Sequence, residues 1–174
     1  QNKKTKGNVK LVAVADPFAH KATGALNSLS KGANKEKVDV PQERIFGGLD
    51  GYKKAIDVDS DLVVIATPPG YKPQQFEYAV NKGIHVFAEK SFATDGPNTR
   101  RWLKAAELSE QKNLKVGVGF MWRHSQARQQ VIQRIHDGAI GDLHTLRIYR
   151  VHGPVHCPPR PKDQNELTFQ LQHP

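Results

Sequence analysis

The chain has 174 residues, a formal net charge of +9, and 37% hydrophobic against 25% charged residues. That length sets one domain, or one domain and part of another, with apolar material for a core. No apolar run reaches the roughly 18 residues that a membrane-spanning helix needs, and the single cysteine, Cys157, excludes an internal disulfide.

The positive charge is scattered. Its densest group, Lys3, Lys4, Lys6 and Lys10, shows no interleaved aromatics. Charge alone is a weak signal for nucleic acid, so a basic nucleic-acid-binding module is held only as an alternative, and no membrane partner is expected. The opening "QNKKTKGNVK" has no apolar segment of the signal-peptide kind and no initiator Met, so the chain reads as an internal piece of a longer protein. Its compartment is left open: cytoplasmic, or exported if a targeting segment has been removed.

In chain order, "VKLVAVAD" (Val9 to Asp16) predicts a strand buried on both faces. A short helix follows, stopped by Gly32. Arg44 to Phe46 predicts a short strand, and Tyr52 to Ile56 a small helix. "DLVVIATPP" (Asp61 to Pro69) is a second doubly buried strand. Pro73 to Lys82 predicts a helix with a Phe76, Ala79, Val80 stripe, closed by Gly83. "IHVFAE" is the next strand. Asp95 with Pro97 opens a helix to about Lys112, with Trp102 in its core face. "LKVGVGFMW" is a further strand, Ser125 to Asp137 a helix, and Leu143 to Val151 a last strand before a Pro-rich loop.

Strands alternating with helices predict an α/β fold of the Rossmann, doubly wound parallel kind. Ligands bind such sheets at the carboxyl ends of the strands. Asp16, Thr67-Pro68-Pro69, Glu89-Lys90 and Phe120 to Arg123 all fall at such ends. An acid at the end of the second strand of a dinucleotide-binding fold accepts hydrogen bonds from the adenosine ribose. Asp16 fits that role; a helix-capping role competes with it. A carboxylate there repels a 2′-phosphate, which favours NAD over NADP. The glycine-rich phosphate loop would fall before Gln1.

The stretches "VKLVAVADPF", "DSDLVVIATPPGYKPQQFEYAVNKGIHVFAEKSFATD", "VGFMWRHS" and "IHDGAIGDLHTLRIYRV" resemble the Gfo/Idh/MocA oxidoreductases, the relatives of glucose–fructose oxidoreductase and inositol dehydrogenase. The resemblance runs from about Val9 to Val151. It implies a nicotinamide-binding Rossmann domain, here residues 1–124 without its first strand and glycine loop. A second, α+β domain with a mostly antiparallel sheet would begin at residues 125–174. The family's Glu-Lys-Pro motif matches Glu89-Lys90, and its lysine is the catalytic one. Its ribose acid matches Asp16, its nicotinamide-side segment matches Ala66-Thr67-Pro68, and its arginine matches Arg123. The motif's proline is Ser91 here, so the backbone after Lys90 lacks a fixed φ. The family also implies a carbohydrate-like substrate and a homo-oligomer built through the C-terminal sheet.

Chemistry supports the same lysine. Hydride transfer between a secondary alcohol and nicotinamide needs a proton moved at the oxygen, and a lysine donates to that oxygen as charge develops. Glu89 would tune or orient Lys90, or contact the nicotinamide or its ribose; a plain structural Glu–Lys pair is the competing reading. The expected function is an NAD-dependent oxidoreductase acting on a sugar, polyol or related hydroxy compound, its NAD either exchanged or tightly held. A catalytically silent nucleotide-binding relative is the alternative. His152, His156 and Cys157 are a weak metal pattern, and no metal is expected. Tyr71, Trp122 and His124 are placed equally well for packing or for the crevice.

Overall fold

A computed structural model describes residues 9–33, 35–153 and 158–172. They fall into two compact units, Gln1–Val118 and Gly119–Pro174.

Parallel pairing organises the first unit. β1 (Val14–Ala15) pairs with β2 (Ile45–Phe46), and a parallel bridge between Leu11 and Val38 continues that contact. β3 (Leu62–Ile65), β4 (His85–Ala88) and β5 (Val116–Val118) form a second parallel ladder in that spatial order. Each step from strand to strand passes through a helix: α1 (Ala19–Ser30), α2 (Gly51–Ile56), α3 (Lys72–Asn81) and α4 (Gly96–Gln111). This is the alternation expected from the sequence, with its parallel strands and crossovers.

Local chemistry explains the helix ends. Asp95 caps α4: its Oδ1 accepts from the Asn98 backbone N–H at 2.8 Å, and Pro97 occupies the first turn, where no N–H is needed. Behind α3, Gly83 turns the chain at φ +78, a conformation L side chains rarely adopt. The core lies between α3, α4 and one face of the three-stranded sheet. Phe76, Ala79 and Val80 are fully buried against Ile65, Val86 and Ala88. Trp102 of α4 stacks on Phe76 with ring centroids 4.2 Å apart, the packing role expected of it.

Several expectations about strands need correction, among them the run at 114–122, whose ladder ends at Val118 ahead of the turn at Met121–His124. The runs at 9–16 and 61–69 were expected to be buried on both faces. In β3, Val63 and Ile65 turn towards the core, while Leu62 and Val64 are 48% and 62% exposed. Side chains alternate across a strand, so covering one face leaves every second apolar residue outside. The ordered ladder at β1 is only two residues long. Between β1 and β3 lies a cavity of about 720 Å³. Consecutive residues line it on both sides, 12–16 on one and 61–65 on the other. Because both side-chain parities take part, the cavity opens on the edges of the two strands and not on a sheet face.

The second unit holds a tight turn at Met121–His124, α5 (Gln126–His136) and α6 (Glu166–Gln172). Gly138 and Gly141 turn the chain behind α5 at positive φ. The strand expected at 143–151 is not formed: the segment pairs with nothing, and Leu146, Ile148, Tyr149 and Val151 are 80–100% exposed. Its alternating pattern is that of a strand, but a strand exists only beside a neighbour, and no strand is described in this unit.

Candidate functional site

All strands of the first unit run parallel, so their carboxyl ends leave each sheet at one edge. Asp16 follows β1. Its backbone N–H continues the pairing by donating to the Phe46 carbonyl at 3.2 Å. Its carboxylate Oδ1 accepts from the Phe18 N–H at 2.8 Å, closing a turn ahead of α1. This is a turn to the residue that precedes α1, not a side-chain cap on the helix, and it uses one oxygen. The second oxygen has no protein donor among the described residues, and Asp16 lines the cavity.

Thr67 leaves β3 and lines the same cavity. Its hydroxyl donates to Gln75 Oε1 of α3 at 2.5 Å, which fixes the Thr67-Pro68 corner to the helix. Tyr71 precedes α3 and donates its backbone N–H to the Pro68 carbonyl at 3.1 Å. Ala66 is exposed and Pro68 half-buried at the same strand end.

Glu89 and Lys90 leave β4 beside it. The Glu89 N–H donates to the Ile65 carbonyl at 2.9 Å, carrying the β3–β4 register one step past the strands. Among the described residues no ion pair joins Glu89 to Lys90. Lys90 is exposed and its ammonium has no carboxylate partner there, whereas Glu89 is half-buried. Neither residue lines the cavity that holds Asp16 and Thr67.

The sequence reading missed Lys72. This first residue of α3 is only 1% exposed. Its Nζ donates to three carbonyl oxygens in a row: Glu89 at 2.7 Å, Lys90 at 2.9 Å and Ser91 at 3.0 Å. Burial pushes its ammonium below the ordinary lysine range; the Glu89 carboxylate opposes that shift, and the Lys90 charge adds to it. A signal was present in "TPPGYKP". A lysine in the first turn of a helix sits against the positive end of the helix dipole, so it needs another reason to be there.

Arg123 belongs to the second unit. It is exposed, its guanidinium lies 5.2 Å from the Phe120 ring centroid, and its carbonyl accepts from Gln129 at 2.6 Å. In the same unit the Arg128 guanidinium lies 3.5 Å from the Trp122 ring centroid, which gives Trp122 a packing partner. His124 is exposed. His152 is also exposed, with Nδ1 2.7 Å from the Gly153 carbonyl; His156 and Cys157 lie outside the described residues. Among the described residues no three His, Cys, Asp or Glu side chains gather as a metal site.

Residues 1–120 match the family described as "Oxidoreductase family, NAD-binding Rossmann fold", GFO_IDH_MocA. The chain belongs to the Gfo/Idh/MocA family. Its relatives include a dTDP-3,4-didehydro-2,6-dideoxy-alpha-D-glucose 3-reductase of Actinomadura kijaniata, 27% identical over 128 residues, covering 72% of this chain and 36% of the relative. Inositol 2-dehydrogenase 4 of Saccharopolyspora erythraea is 31% identical over 138 residues, covering 75% and 40%. Among solved structures, scyllo-inositol dehydrogenase from Lactobacillus casei with bound NAD(H) and scyllo-inositol superposes with a TM-score of 0.58 at 27% identity. That superposition covers 81% of this chain and 37% of that one. The chain thus spans well under half the length of the Gfo/Idh/MocA proteins it matches. Its parallel, helix-linked first unit is the family's Rossmann fold.

Proposed function

We propose that this chain forms the nucleotide-binding part of an NAD-dependent oxidoreductase acting on a sugar, polyol or related hydroxy compound. The observation that carries the reading is the placement of the candidate residues at the carboxyl ends of parallel strands. Asp16 follows β1, Thr67 follows β3 and Lys90 follows β4; among the described residues one Asp16 carboxylate oxygen has no protein donor and Lys90 has no carboxylate partner.

The residues suit the two ends of a dinucleotide. Asp16 offers an acceptor to paired ribose hydroxyls and an unfavourable charge to a 2′-phosphate. Ala66, Thr67 and Pro68 form a turn pinned to α3, suited to the nicotinamide side. When bound, NAD supplies the hydride acceptor or donor. The chain's part is to hold the proton: Lys90 hydrogen-bonds the reacting oxygen and passes or takes its proton as charge changes there. Glu89 sets the local field around that lysine, and Arg123 is proposed as a further cofactor contact.

The gap between β1 and β3 fits the same reading. In a doubly wound sheet the strand order 3-2-1-4-5-6 places the phosphate-loop strand between the two halves. β2-β1 and β3-β4-β5 correspond to 3-2 and 4-5-6, so the cavity stands where strand 1 belongs. A strand residue fills roughly 160 Å³, from 3.3 Å rise, 4.8 Å spacing and 10 Å layer depth, so the cavity takes about four to five of them. On this reading residues 1–124 are the cofactor domain without that strand. Residues 125–174 then begin a substrate domain, through whose remaining sheet copies of the protein would associate.

Titration with NADH and NADPH tests the reading. NADH should bind about tenfold tighter or better, as expected for a hydrogen bond to a charged group, and Asp16→Ala should abolish that preference. Equal affinity for both nucleotides would sink the role of Asp16. In any longer polypeptide containing this chain, Lys90→Met should cut turnover by roughly 10²–10⁴-fold while nucleotide affinity changes little. Unchanged turnover would favour a catalytically silent relative.

A further inference from the structure

We propose that Lys72 is the positioning residue of this site. Its buried ammonium gathers the carbonyls of Glu89, Lys90 and Ser91, and so sets the direction in which the Lys90 side chain leaves the sheet. The inference rests on the reading of Lys90 as the proton-handling group.

An ammonium has three N–H donors, arranged tetrahedrally. In Lys72 all three are used, on three consecutive carbonyls, at 2.7, 2.9 and 3.0 Å. Consecutive carbonyls of an extended chain point to alternate sides, so one point donor reaches three of them only where the backbone curls around it. The curl begins at the last residue of the β3–β4 register, where the Glu89 N–H still holds the Ile65 carbonyl. Lys90 is the middle residue of the curl. Its backbone is therefore fixed from both sides: by β3 through Glu89, and by α3 through Lys72.

This supplies what the local sequence lacks. Ser91 stands where a proline would fix φ, and serine fixes nothing. The restraint comes from another element, across 17 to 19 residues of sequence. Lys72 itself is held rigidly. It opens α3 ahead of Pro73, and its stem is buried with that residue and Phe76, among the largest fully buried side chains. Against the burial that lowers its pKa, the Glu89 charge and three accepting carbonyls favour the ammonium. An arginine would not substitute. Its donors fan out in one plane and match a flat carboxylate, not three carbonyls converging on a point.

Nitrogen-15 lysine side-chain resonances test this, with and without NADH, in a longer polypeptide containing this chain that has been shown to bind NADH. In the parent, a slowly exchanging Lys72 ammonium signal should show couplings across hydrogen bonds to the carbonyl carbons of residues 89, 90 and 91. Their absence overturns the clamp without needing any variant to fold. NADH should shift the Lys90 signal. In Lys72→Arg and Lys72→Met that shift should fall to less than about half, while resonances of the α4 core stay in place, as expected for a local rearrangement. If the shift persists in both variants, Lys72 does not position Lys90 and the oxidoreductase reading stands. If NADH leaves the Lys90 signal unmoved in the parent, the underlying reading of Lys90 fails instead, whatever the couplings show.

Discussion

Asp95 shows how much one short side chain can settle. Its carboxylate takes the Asn98 backbone N–H at 2.8 Å and the Asn98 amide at 2.6 Å. The backbone hydrogen bond first, and the side-chain amide second, hold its carboxyl below the ordinary aspartate value of 3.8. A carboxylate whose folded pKa is depressed adds stability that is fully present above the unfolded value and is lost as pH falls through the folded one. Asparagine still caps a helix but does not titrate. Asp95→Asn should therefore match the parent closely near about pH 7 and lose less thermal stability than the parent at about pH 3. Melting curves at the two pH values decide it; equal losses would mean that the cap does not titrate with folding. Asp57 obeys the same sign, held down by Lys82 and then by the Tyr78 hydroxyl. Lys72 obeys the opposite one. Burial lowers its pKa, so the unfolded chain binds the extra proton, and this group's contribution to stability rises as pH climbs from its folded value towards 10.5. Asp95 was legible in the sequence because capping is a rule about neighbours. Lys72 was not, because its partners lie 17 or more residues away.

Among the elements, helices were read well and strands less well, for a physical reason. The helices at 19–30, 51–56, 96–111 and 126–136 follow from the Asp95 cap, prolines, glycines and a 3.6-residue stripe, all written in or beside the segment itself. A strand is completed by another segment. "LHTLRIYRV" has strand chemistry throughout and no ladder, while "DLVVI" forms a ladder but buries only one of its faces. In the described core α3 packs against α4 and the three-stranded sheet, and Phe76 stacks on Trp102. Phe76→Ala removes a fully buried ring and should cost about 3–5 kcal/mol, read as a lowered urea midpoint with an unchanged slope. A loss below about 1 kcal/mol would mean that the two helices close over the vacancy. Sequence placed Lys90 and Asp16 at strand ends; that Asp16 shares its cavity with Thr67 and that Lys90 stands clear of it depends on how distant segments pack.

At the scale of the whole molecule, the gap between β1 and β3 matters most. The gap of about 720 Å³ is open to solvent, since Leu62 and Val64 in its wall are exposed. It is therefore filled, by water or by a strand, and the filling decides how the backbone behaves. Along a parallel strand, alternate residues direct their N–H and C=O groups to opposite sides, so half the peptide groups of 12–16 and 61–65 face the gap. In a closed sheet such central amides are the slowest in a protein to trade hydrogen for deuterium. In this chain alone they should trade as fast as loop amides, while those of α4, none of whose residues lines the gap, stay protected. Protection of the gap-facing amides in the isolated chain would show that the opening is sealed by some other part of it. A deuterium label on those few peptide groups thus reports, at the centre of the sheet, whether the domain is complete.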